Sequence, residues 1–547
     1  MNTRKLSGLV PLAMLVCMTL PRSSLAEVKP NILFGDHMVL QQGKDINVYG
    51  TAAAGEKVEV TFQGKSAFTE AGKDGNWKVN IGQFKSGGPY EMTVKGTNTV
   101  TVKDILVGEV WVASGQSNMA WGVNGCTNAD QDIAASKNPQ IRMFNVAWHQ
   151  AVKPQPALLW NAWQVADPAV VPGWTAVGYF FARELEKKIK VPIGILNSSL
   201  GGTPAESWTS PDGFDQPAIR HYRKEYDQAL ADLPAQMQDY FRQVDQWKVQ
   251  ATDALKTGAY VPLMPPQPKF VRDCCQPCVL YNGMVNPLVG YRVRGVVWYQ
   301  GESNAGPPER AGEYRTLFPA LIKDWRNKWG EDISFLWIQL ATVGGPNPQP
   351  YESNWGLLRE AQTMTLKLPK TGQAVTFDLG DGDIHPRNKQ DMGARLALIA
   401  EALYGQDVIF SGPLYKENGM KVEGGKVRLS FTHVRGGLTA QPGPTLIPRA
   451  EVPKDTPLVD SELKRFEIAG ADRKFVWASA KIDPSRASGS NDGPNADTVI
   501  VWSDKVPKPV AVRYAWAENP TGANLFSKSG LPASPFRTDD WEYAKPK

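Results

Sequence analysis

The stretch that decides the fold is Val110–Met119, with the sequence VWVASGQSNM. Its first four residues are apolar, which is typical of a buried strand, and the small polar residues that follow place Ser117 just beyond its end. In open α/β sheets, ligands bind and chemistry takes place at the carboxyl ends of the strands. Ser117 is therefore a candidate nucleophile, which needs a base and oxyanion donors from elsewhere in the chain. The alternative interpretation is a polar strand-to-helix turn in which Ser117 only caps a helix.

Apolar runs and helical patterns alternate around this stretch, from residue 106 to residue 405. The predicted strands are Val110–Ala113, Ile193–Leu196, Val293–Tyr299, Phe335–Leu340 and Val375–Phe377, and the predicted helices are Ala176–Lys188, Tyr314–Lys328 and Leu357–Leu366. This alternation predicts a parallel sheet with helices on both faces. A polar stretch of helical period, Ala218–Lys256, interrupts the pattern and is interpreted as a helical insertion near residues 210–270.

Short alternating strands are predicted on both sides of this α/β region. Residues 27–105 contain runs such as Asp45–Tyr49, separated by Gly and Asn turns, which predicts a small antiparallel β domain. Residues 406–547 contain runs such as Lys426–Phe431, which predicts a second, C-terminal β region. A chain of 547 residues is too long for one hydrophobic core, so a division into several domains agrees with its length.

Residues 1–26 are typical of a signal peptide. Positive charge at Arg4 and Lys5 precedes an apolar stretch over residues 9–20, and the small residues that a signal peptidase requires follow at Ser24–Ala26. We expect cleavage after Ala26 and a periplasmic or secreted protein that has no membrane segment after cleavage. The net charge of +5 is too low and too dispersed to indicate a nucleic-acid partner.

The expectation of export decides how the cysteines are interpreted. Four of them remain once the leader is removed: Cys126, Cys274, Cys275 and Cys278. In an oxidising compartment they allow up to two disulfides. We predict a bridge from Cys126 to the later cluster, which would tie the loop after the candidate nucleophile to the segment before Gln300. The Cys-Cys-x-x-Cys cluster could instead bind zinc, although no nearby histidine completes a set of ligands.

The candidate base is found by elimination among five histidines. Four of them lie in the flanking β regions, in the insertion or in a polar segment without a neighbouring acid: His37, His149, His221 and His433. His385 differs, because it lies in the run DLGDGDIHP directly after the last predicted strand of the sheet. A carboxylate must orient the imidazole of such a base and stabilise its protonated form, and both Asp381 and Asp383 are close in sequence. A calcium-binding loop is the alternative interpretation of this acidic run.

Candidate oxyanion donors follow two other predicted strands. The loop NSSLGGT contains Gly201 and Gly202, whose backbone N–H groups can approach a ligand closely because glycine has no side chain. The block WYQGESN carries the side-chain amides of Gln300 and Asn304. Its carboxylate, Glu302, is a further candidate to orient the histidine.

Four ordered motifs, GQSNM, NSSxGGT, WYQGESN and DIHP, together resemble the bacterial sialate O-acetylesterase family. This family belongs to the wider group of SGNH hydrolases and carbohydrate acetylesterases. The resemblance extends from Phe34–Gln41 to Phe536–Trp541 and thus covers nearly the whole mature chain. It implies an α/β fold with an SGNH-type doubly wound parallel sheet, flanked by N- and C-terminal β domains. It also implies a serine esterase that needs no metal or other cofactor.

The matching motifs imply that Ser117 is the nucleophile and His385 the base. Many SGNH enzymes place the acid three residues before the histidine, but Gly382 occupies that position here. The third member is therefore expected to be Asp383, with Glu302 as the alternative, because related carbohydrate esterases can use the Gln-Gly-Glu block for this role.

The same resemblance implies an oxyanion hole. Its donors would be the N–H of Ser117, the N–H of Gly201 or Gly202, and the amide of Gln300 or Asn304. The expected substrate is an acetylated sugar or glycan, on which the esterase would release acetate.

Three other functions are compatible with parts of the sequence. An acetylxylan esterase would perform the same chemistry on a plant polysaccharide, and the motifs do not separate it from a sialate esterase. A glycosidase could use paired carboxylates such as Asp381 and Asp383, but it would leave the Ser117 block unexplained. A non-catalytic glycan-binding module could be built on the β regions, and the 18 tryptophans would suit stacking on sugars.

Overall fold

The computed structural model describes residues 27–435, 437–440, 462–487 and 496–542. The predicted signal peptide at residues 1–26 lies outside these described residues, so its cleavage stays a prediction. None of the described helices has both the length and the apolar composition that a membrane crossing requires.

The described chain begins with seven short strands. Their bounds are β1 Lys29–Pro30, β2 Val39–Gln41, β3 Ile46–Thr51, β4 Lys57–Phe62, β5 Lys65–Glu70, β6 Asn76–Gly82 and β7 Gly87–Lys95. Strands β1, β3 and β6 form an antiparallel sheet, and β4 pairs antiparallel with β5 and β7. Alternate residues of β4, Val58, Val60 and Phe62, are buried, as the period of two along a strand requires.

The deciding stretch lies at the end of β8, Thr99–Gly115, which is 17 residues long. The first half of β8 pairs antiparallel with β7, and its second half pairs in parallel with strands of the α/β region. The strand therefore crosses the predicted boundary between residues 105 and 106. It joins both regions in one 11-stranded sheet.

Six further strands complete the α/β part of this sheet. They are β9 Asn138–Asn145, β10 Trp163–Ala166, β11 Ile193–Ser199, β12 Gly295–Tyr299, β13 Ser334–Ile338 and β14 Thr371–Ala374. Their order is β10-β9-β11-β8-β12-β13-β14, and every neighbouring pair except β10 with β9 is parallel. Because β8 lies between β11 and β12, the loops that follow these three strands meet at one edge, with Gly115 in register with Ser199 and with Tyr299.

Three strand assignments differ from the sequence analysis, and one of them is β10, which was not predicted. The predicted strand Val375–Phe377 is wrong, because β14 ends at Ala374 and Phe377–Leu379 forms a 3-10 turn. Strand β9 was not predicted, since its apolar run is interrupted by Arg142, which is buried against Asp104. A buried arginine of this kind hides a strand from a search for apolar runs.

Eight α-helices accompany the strands in the described chain. Their bounds are α1 Ser117–Ala120, α2 Ala129–Ala134, α3 Ala176–Ile189, α4 Arg220–Thr257, α5 Lys269–Arg272, α6 Pro308–Trp329, α7 Asn354–Met364 and α8 Lys389–Leu403. The helices predicted at α3, α6 and α7 are confirmed, and α4 is a helix within the stretch interpreted as an insertion.

Helices α3 and α6 cover opposite faces of the sheet. Phe181 of α3 packs on Trp111 with 5.1 Å between ring centroids, and Phe318 of α6 packs on Trp298 at 6.4 Å. Trp298 is in register with Ser114, whose side chain points away from the face that carries Trp111 because strand residues alternate. The apolar strands are thus buried on both faces.

The C-terminal region forms a second core. Its strands are β15 Leu414–Glu423, β16 Lys426–Thr432, β17 Leu438–Thr439, β18 Glu462–Ala469, β19 Val476–Ala487, β20 Ala496–Trp502, β21 Ala511–Tyr514, β22 Phe526–Ser527 and β23 Phe536–Arg537. Seven of them form an antiparallel sheet in the order β15-β16-β20-β19-β18-β21-β23. Its buried residues, among them Leu429, Phe466 and Val501, form a cluster separate from that of the large sheet.

Candidate active site

Ser117 is placed by a glycine turn between two strands. Gly115 has φ of 138°, and a Cβ at this position would lie 2.1 Å from the carbonyl oxygen of Tyr299. Only glycine therefore lets β8 end so close to β12. The N–H of Gln116 donates to the same carbonyl at 3.0 Å, and Ser117 then begins α1 at the carboxyl edge of the sheet.

His385 meets Ser117 at this edge. Its Nε2 lies 2.9 Å from the Oγ of Ser117, a hydrogen-bond distance between residues 268 positions apart in the chain. The imidazole stacks on Trp121, with 5.1 Å between centroids and 17° between planes. Burial, together with the nearby Lys389 cation, lowers the pKa of His385 from its ordinary value of 6.5. The neutral imidazole therefore predominates at pH 7, and this form can accept a proton from a hydroxyl.

Asp383 is the acid that lies beside His385. Its Oδ1 is 3.7 Å from Nδ1 of the imidazole and accepts the backbone N–H of His385 at 2.8 Å. The first distance is longer than a hydrogen bond, and the Asp383 side chain is 67% exposed. Asp381 accepts the N–H of Asp383 at 3.2 Å and pairs with Arg387 at 3.5 Å. Asp383 thus fixes the backbone of His385. Its negative charge raises the pKa of His385 and so opposes the effect of burial.

Glu302 reaches the histidine loop through Asn118. The Nδ2 of Asn118 donates to Oε1 of Glu302 and, at 2.8 Å, to the carbonyl of Ile384. The Oδ1 of Asn118 accepts from Nζ of Lys389. Burial raises the pKa of Glu302 above its ordinary value. This carboxylate therefore belongs to a network behind the nucleophile.

Gly201 is the predicted glycine that lies next to Ser117. A Cβ on Gly201 would be 3.3 Å from Cβ of Ser117, whereas a Cβ on Gly202 would meet open space. The N–H of Leu200 donates to the carbonyl of Gly115 at 3.0 Å, which holds this loop against the end of β8. Of the two glycines, Gly201 is the one whose backbone borders the candidate nucleophile.

Gln300 and Asn304 are buried and use their amides inside the protein. The Nε2 of Gln300 donates to Oδ1 of Asn304 at 2.7 Å and to the carbonyl of Thr203 at 3.2 Å. Asn304 accepts the N–H of Ala205 and donates to Glu206, both at 2.9 Å. The structure therefore gives these amides protein partners, and they hold the loop that follows the two glycines.

All four described cysteines are free thiols, so the predicted bridge is absent. Cys126 donates to the carbonyl of Gly122 at 3.6 Å, and Cys275 donates to the carbonyl of Gly202 at 3.4 Å. These two thiols therefore have their hydrogen-bond partners in different loops. The cluster Asp273–Cys275 offers three ligand atoms within 4.8 Å of one another, one fewer than a structural zinc site takes.

Lys389 and Trp121 are site residues that the sequence analysis missed. Lys389 is fully buried, and its Nζ lies 5.1 Å from the ring centroid of Tyr299 and 6.0 Å from that of Trp121. The only sequence signal was the position of this lysine four residues after His385, at the start of a helix. Composition and periodicity give no sign that such a lysine is buried.

Comparisons with known proteins show which family the chain resembles. Residues 107–248 and 276–400 match the family model for carbohydrate esterase, sialic acid-specific acetylesterase. The chain is 29% identical to the sialate O-acetylesterase of Mus musculus and 28% identical to that of Rattus norvegicus, over 92% of both chains in each case. It is 36% identical to a carbohydrate acetylesterase from Xanthomonas citri, whose crystal structure matches with a TM-score of 0.74 over 94% of this chain and 100% of that one. The chain therefore belongs to the carbohydrate acetylesterase family and is a carbohydrate O-acetylesterase.

Proposed function

We propose that this chain is an exported serine esterase that removes O-acetyl groups from sialic acids, with Ser117 as nucleophile and His385 as base. The observation that carries the proposal is the 2.9 Å contact between Ser117 Oγ and His385 Nε2 at the carboxyl edge of the sheet. The lowered pKa of His385 supports its role, because a base must be neutral before it takes a proton.

The reaction is acyl transfer in two steps. Ser117 Oγ attacks the acetyl carbonyl carbon while His385 Nε2 takes the hydroxyl proton, and the carbonyl oxygen becomes an oxyanion. The proposed donors to this oxyanion are the backbone N–H groups of Ser117 and Gly201, since Gly201 lies against Ser117. The sugar oxygen then leaves with the proton from His385. Water, deprotonated by His385, attacks the acetyl-enzyme, and acetate departs as Ser117 regains its proton.

Asp383 is the carboxylate that supports His385 in this mechanism. Its Oδ1 lies 3.7 Å from Nδ1, and its charge favours the imidazolium that forms in the transition state. Glu302 is the alternative acid, and its contact with Asn118 favours a more remote role.

Two acetylated substrates are compatible with the proposed mechanism. The names of the curated relatives, which align over 92% of this chain, favour a sialate. An acetylated plant polysaccharide is the second candidate, since the relative that is 36% identical is described only as a carbohydrate acetylesterase. Acetate release from O-acetylated sialic acid and from acetylated xylan oligosaccharides separates the two. Faster turnover of the xylan fragments would reject the sialate assignment and leave the serine esterase intact.

Replacement of the nucleophile tests the mechanism itself. We expect Ser117→Ala to lower kcat on a small acetyl ester by about 10⁴-fold or more, because it removes the attacking atom. Ser66→Ala, in the remote strand β5, is the matched control and should keep wild-type turnover. Wild-type turnover by Ser117→Ala would reject the proposal. Export is tested separately, with the protein expressed together with residues 1–26. The first residue of the mature protein should then be Glu27.

A further inference from the structure

Lys389 is a fully buried lysine on the first turn of α8, beside the proposed catalytic pair. Removing an ammonium group from water costs several kcal/mol unless partners replace the lost hydration. The partners here are the Oδ1 of Asn118 and the faces of two rings, Tyr299 and Trp121. A lysine held this way is expensive to bury, and packing alone does not require its charge.

The contact with Lys389 fixes the orientation of the Asn118 amide. In its charged form Lys389 only donates hydrogen bonds, so the side chain of Asn118 turns its carbonyl oxygen towards Lys389. Its NH₂ group then faces the two acceptors on the other side, Glu302 and the carbonyl of Ile384. With Lys389 absent, the amide could turn over and lose both of these bonds.

The oriented amide connects the two loops that carry the reacting groups. Asn118 follows Ser117 directly, and the carbonyl of Ile384 belongs to the peptide bond that precedes His385. The bond of 2.8 Å between them therefore joins the nucleophile turn to the histidine loop. Lys389 acts on the contact between Ser117 and His385 through this bond.

The charge of Lys389 also acts on the imidazole. Several ionisable groups face this lysine from the surrounding elements: Cys126, Tyr299, Glu302, Asp381, Asp383 and His385. Burial lowers the pKa of Lys389 to about 7, so the side chain is charged in the acidic range where His385 titrates. In that range burial is the larger cause of the lowered pKa of His385, and the positive charge of Lys389 is the second cause.

We propose that Lys389 is a positioning residue of the esterase reaction, which orients Asn118 so that Ser117 and His385 stay in contact. The inference rests on the proposed function, since it assumes that Ser117 and His385 react. Lys389 itself touches neither the substrate nor the attacking oxygen in this role.

The test is Lys389→Met, assayed as kcat, KM and the pH profile of kcat/KM on 4-nitrophenyl acetate. We expect kcat to fall by about 10²-fold, the size of effect that a misplaced reacting group causes, with KM within about twofold of wild type. Loss of the positive charge raises the pKa of His385, so the acid limb of the profile should move to higher pH. A purely structural role would not move this limb.

A second variant keeps the inference testable if Lys389→Met folds poorly. Asn118→Ala should lower kcat to a similar extent, and the double variant should lose no more than either single variant, because both changes break one path. Lys367→Met, at an exposed position in the same chain, is the control and should behave as wild type. The inference is overturned if Lys389→Met keeps both the acid limb in place and kcat within about twofold of wild type. It is also overturned if Asn118→Ala has wild-type kcat. Activity retained by Ser117→Ala would instead overturn the proposed function.

Discussion

At the residue scale, two of the three carboxylates that the sequence offered for His385, Asp383 and Glu302, occupy different positions. Asp383 lies 3.7 Å from the imidazole and binds the backbone of the same residue. Glu302 is one side chain further away and is held by Asn118. The strength with which a carboxylate stabilises an imidazolium depends on the distance between the two groups and on the surrounding water. Asp383 is near but exposed, whereas Glu302 is buried but remote, so the two are expected to contribute by different routes.

This difference leads to a ranking of three variants. We expect Asp383→Asn to lower kcat more than Asp381→Asn or Glu302→Gln does. Its kcat should fall by about 10²-fold relative to wild type, which is less than the roughly 10⁴-fold loss known for a tightly bonded triad. The charge of Asp383 raises the pKa of His385, so its removal should move the acid limb of kcat/KM to lower pH. That direction is opposite to the one expected for Lys389→Met.

Steady-state kinetics of the three variants between pH 5 and pH 9 measures this ranking. Asp381→Asn is the matched control, because it changes the neighbouring acid of the same loop. If Glu302→Gln were far more damaging and Asp383→Asn nearly silent, the Gln-Gly-Glu block would supply the third member. The roles of Ser117 and His385 would be unaffected.

At the scale of single elements, the turn from β8 into α1 depends on Gly115. A methyl group there would collide with the carbonyl of Tyr299, which is backbone and cannot move away without shifting β12. The same carbonyl accepts the N–H of Gln116, so any shift reaches Ser117 directly. The position of the nucleophile is therefore determined by how closely two neighbouring strands approach.

We expect Gly115→Ala to destabilise the protein by at least about 1–3 kcal/mol, as overpacking of a filled site does, and to lower kcat by displacing Ser117. Gly173→Ala is the matched control, since a Cβ at that position has no atom within 4 Å. Thermal unfolding and turnover of both variants give the comparison. A Gly115→Ala protein with the melting temperature and kcat of Gly173→Ala would contradict this account of the turn.

The periodicity of the sequence predicted elements better than it predicted side-chain directions. Helices α3, α6 and α7 were found because their apolar residues repeat with the helical period. The contact of Ser117 with His385 followed from the rule that parallel strands end at one edge. The inward direction of Gln300 and Asn304 could not be foreseen, because it depends on partners such as Glu206 that are remote in sequence.

At the scale of the whole molecule, one buried side chain ties the C-terminal region to the large sheet. Arg359 of α7 is fully buried, and its guanidinium donates to four backbone carbonyls. Two of them, Leu340 and Ala341, follow β13, and the other two, Ala517 and Glu518, follow β21. Burial lowers the pKa of Arg359 to about 9, so the group still carries its charge at pH 7. Arg359 therefore contributes to the contact between the two regions as a cation whose hydrogen bonds go to backbone carbonyls, beside ion pairs such as that of Arg537 with Glu360.

We expect Arg359→Met to cost about 3 kcal/mol or more, because each buried carbonyl left without a donor costs roughly 1–3 kcal/mol. The loss should appear as a lower melting temperature and as faster proteolysis of the C-terminal β region, while the core of the large sheet stays protected. Arg242→Met is the matched control, since Arg242 is 76% exposed and its ion pair with Asp239 on α4 is worth little. Equal melting temperatures and equal cleavage of the two variants would show that the C-terminal region is held by its apolar contacts, and that Arg359 only fills the space between the cores.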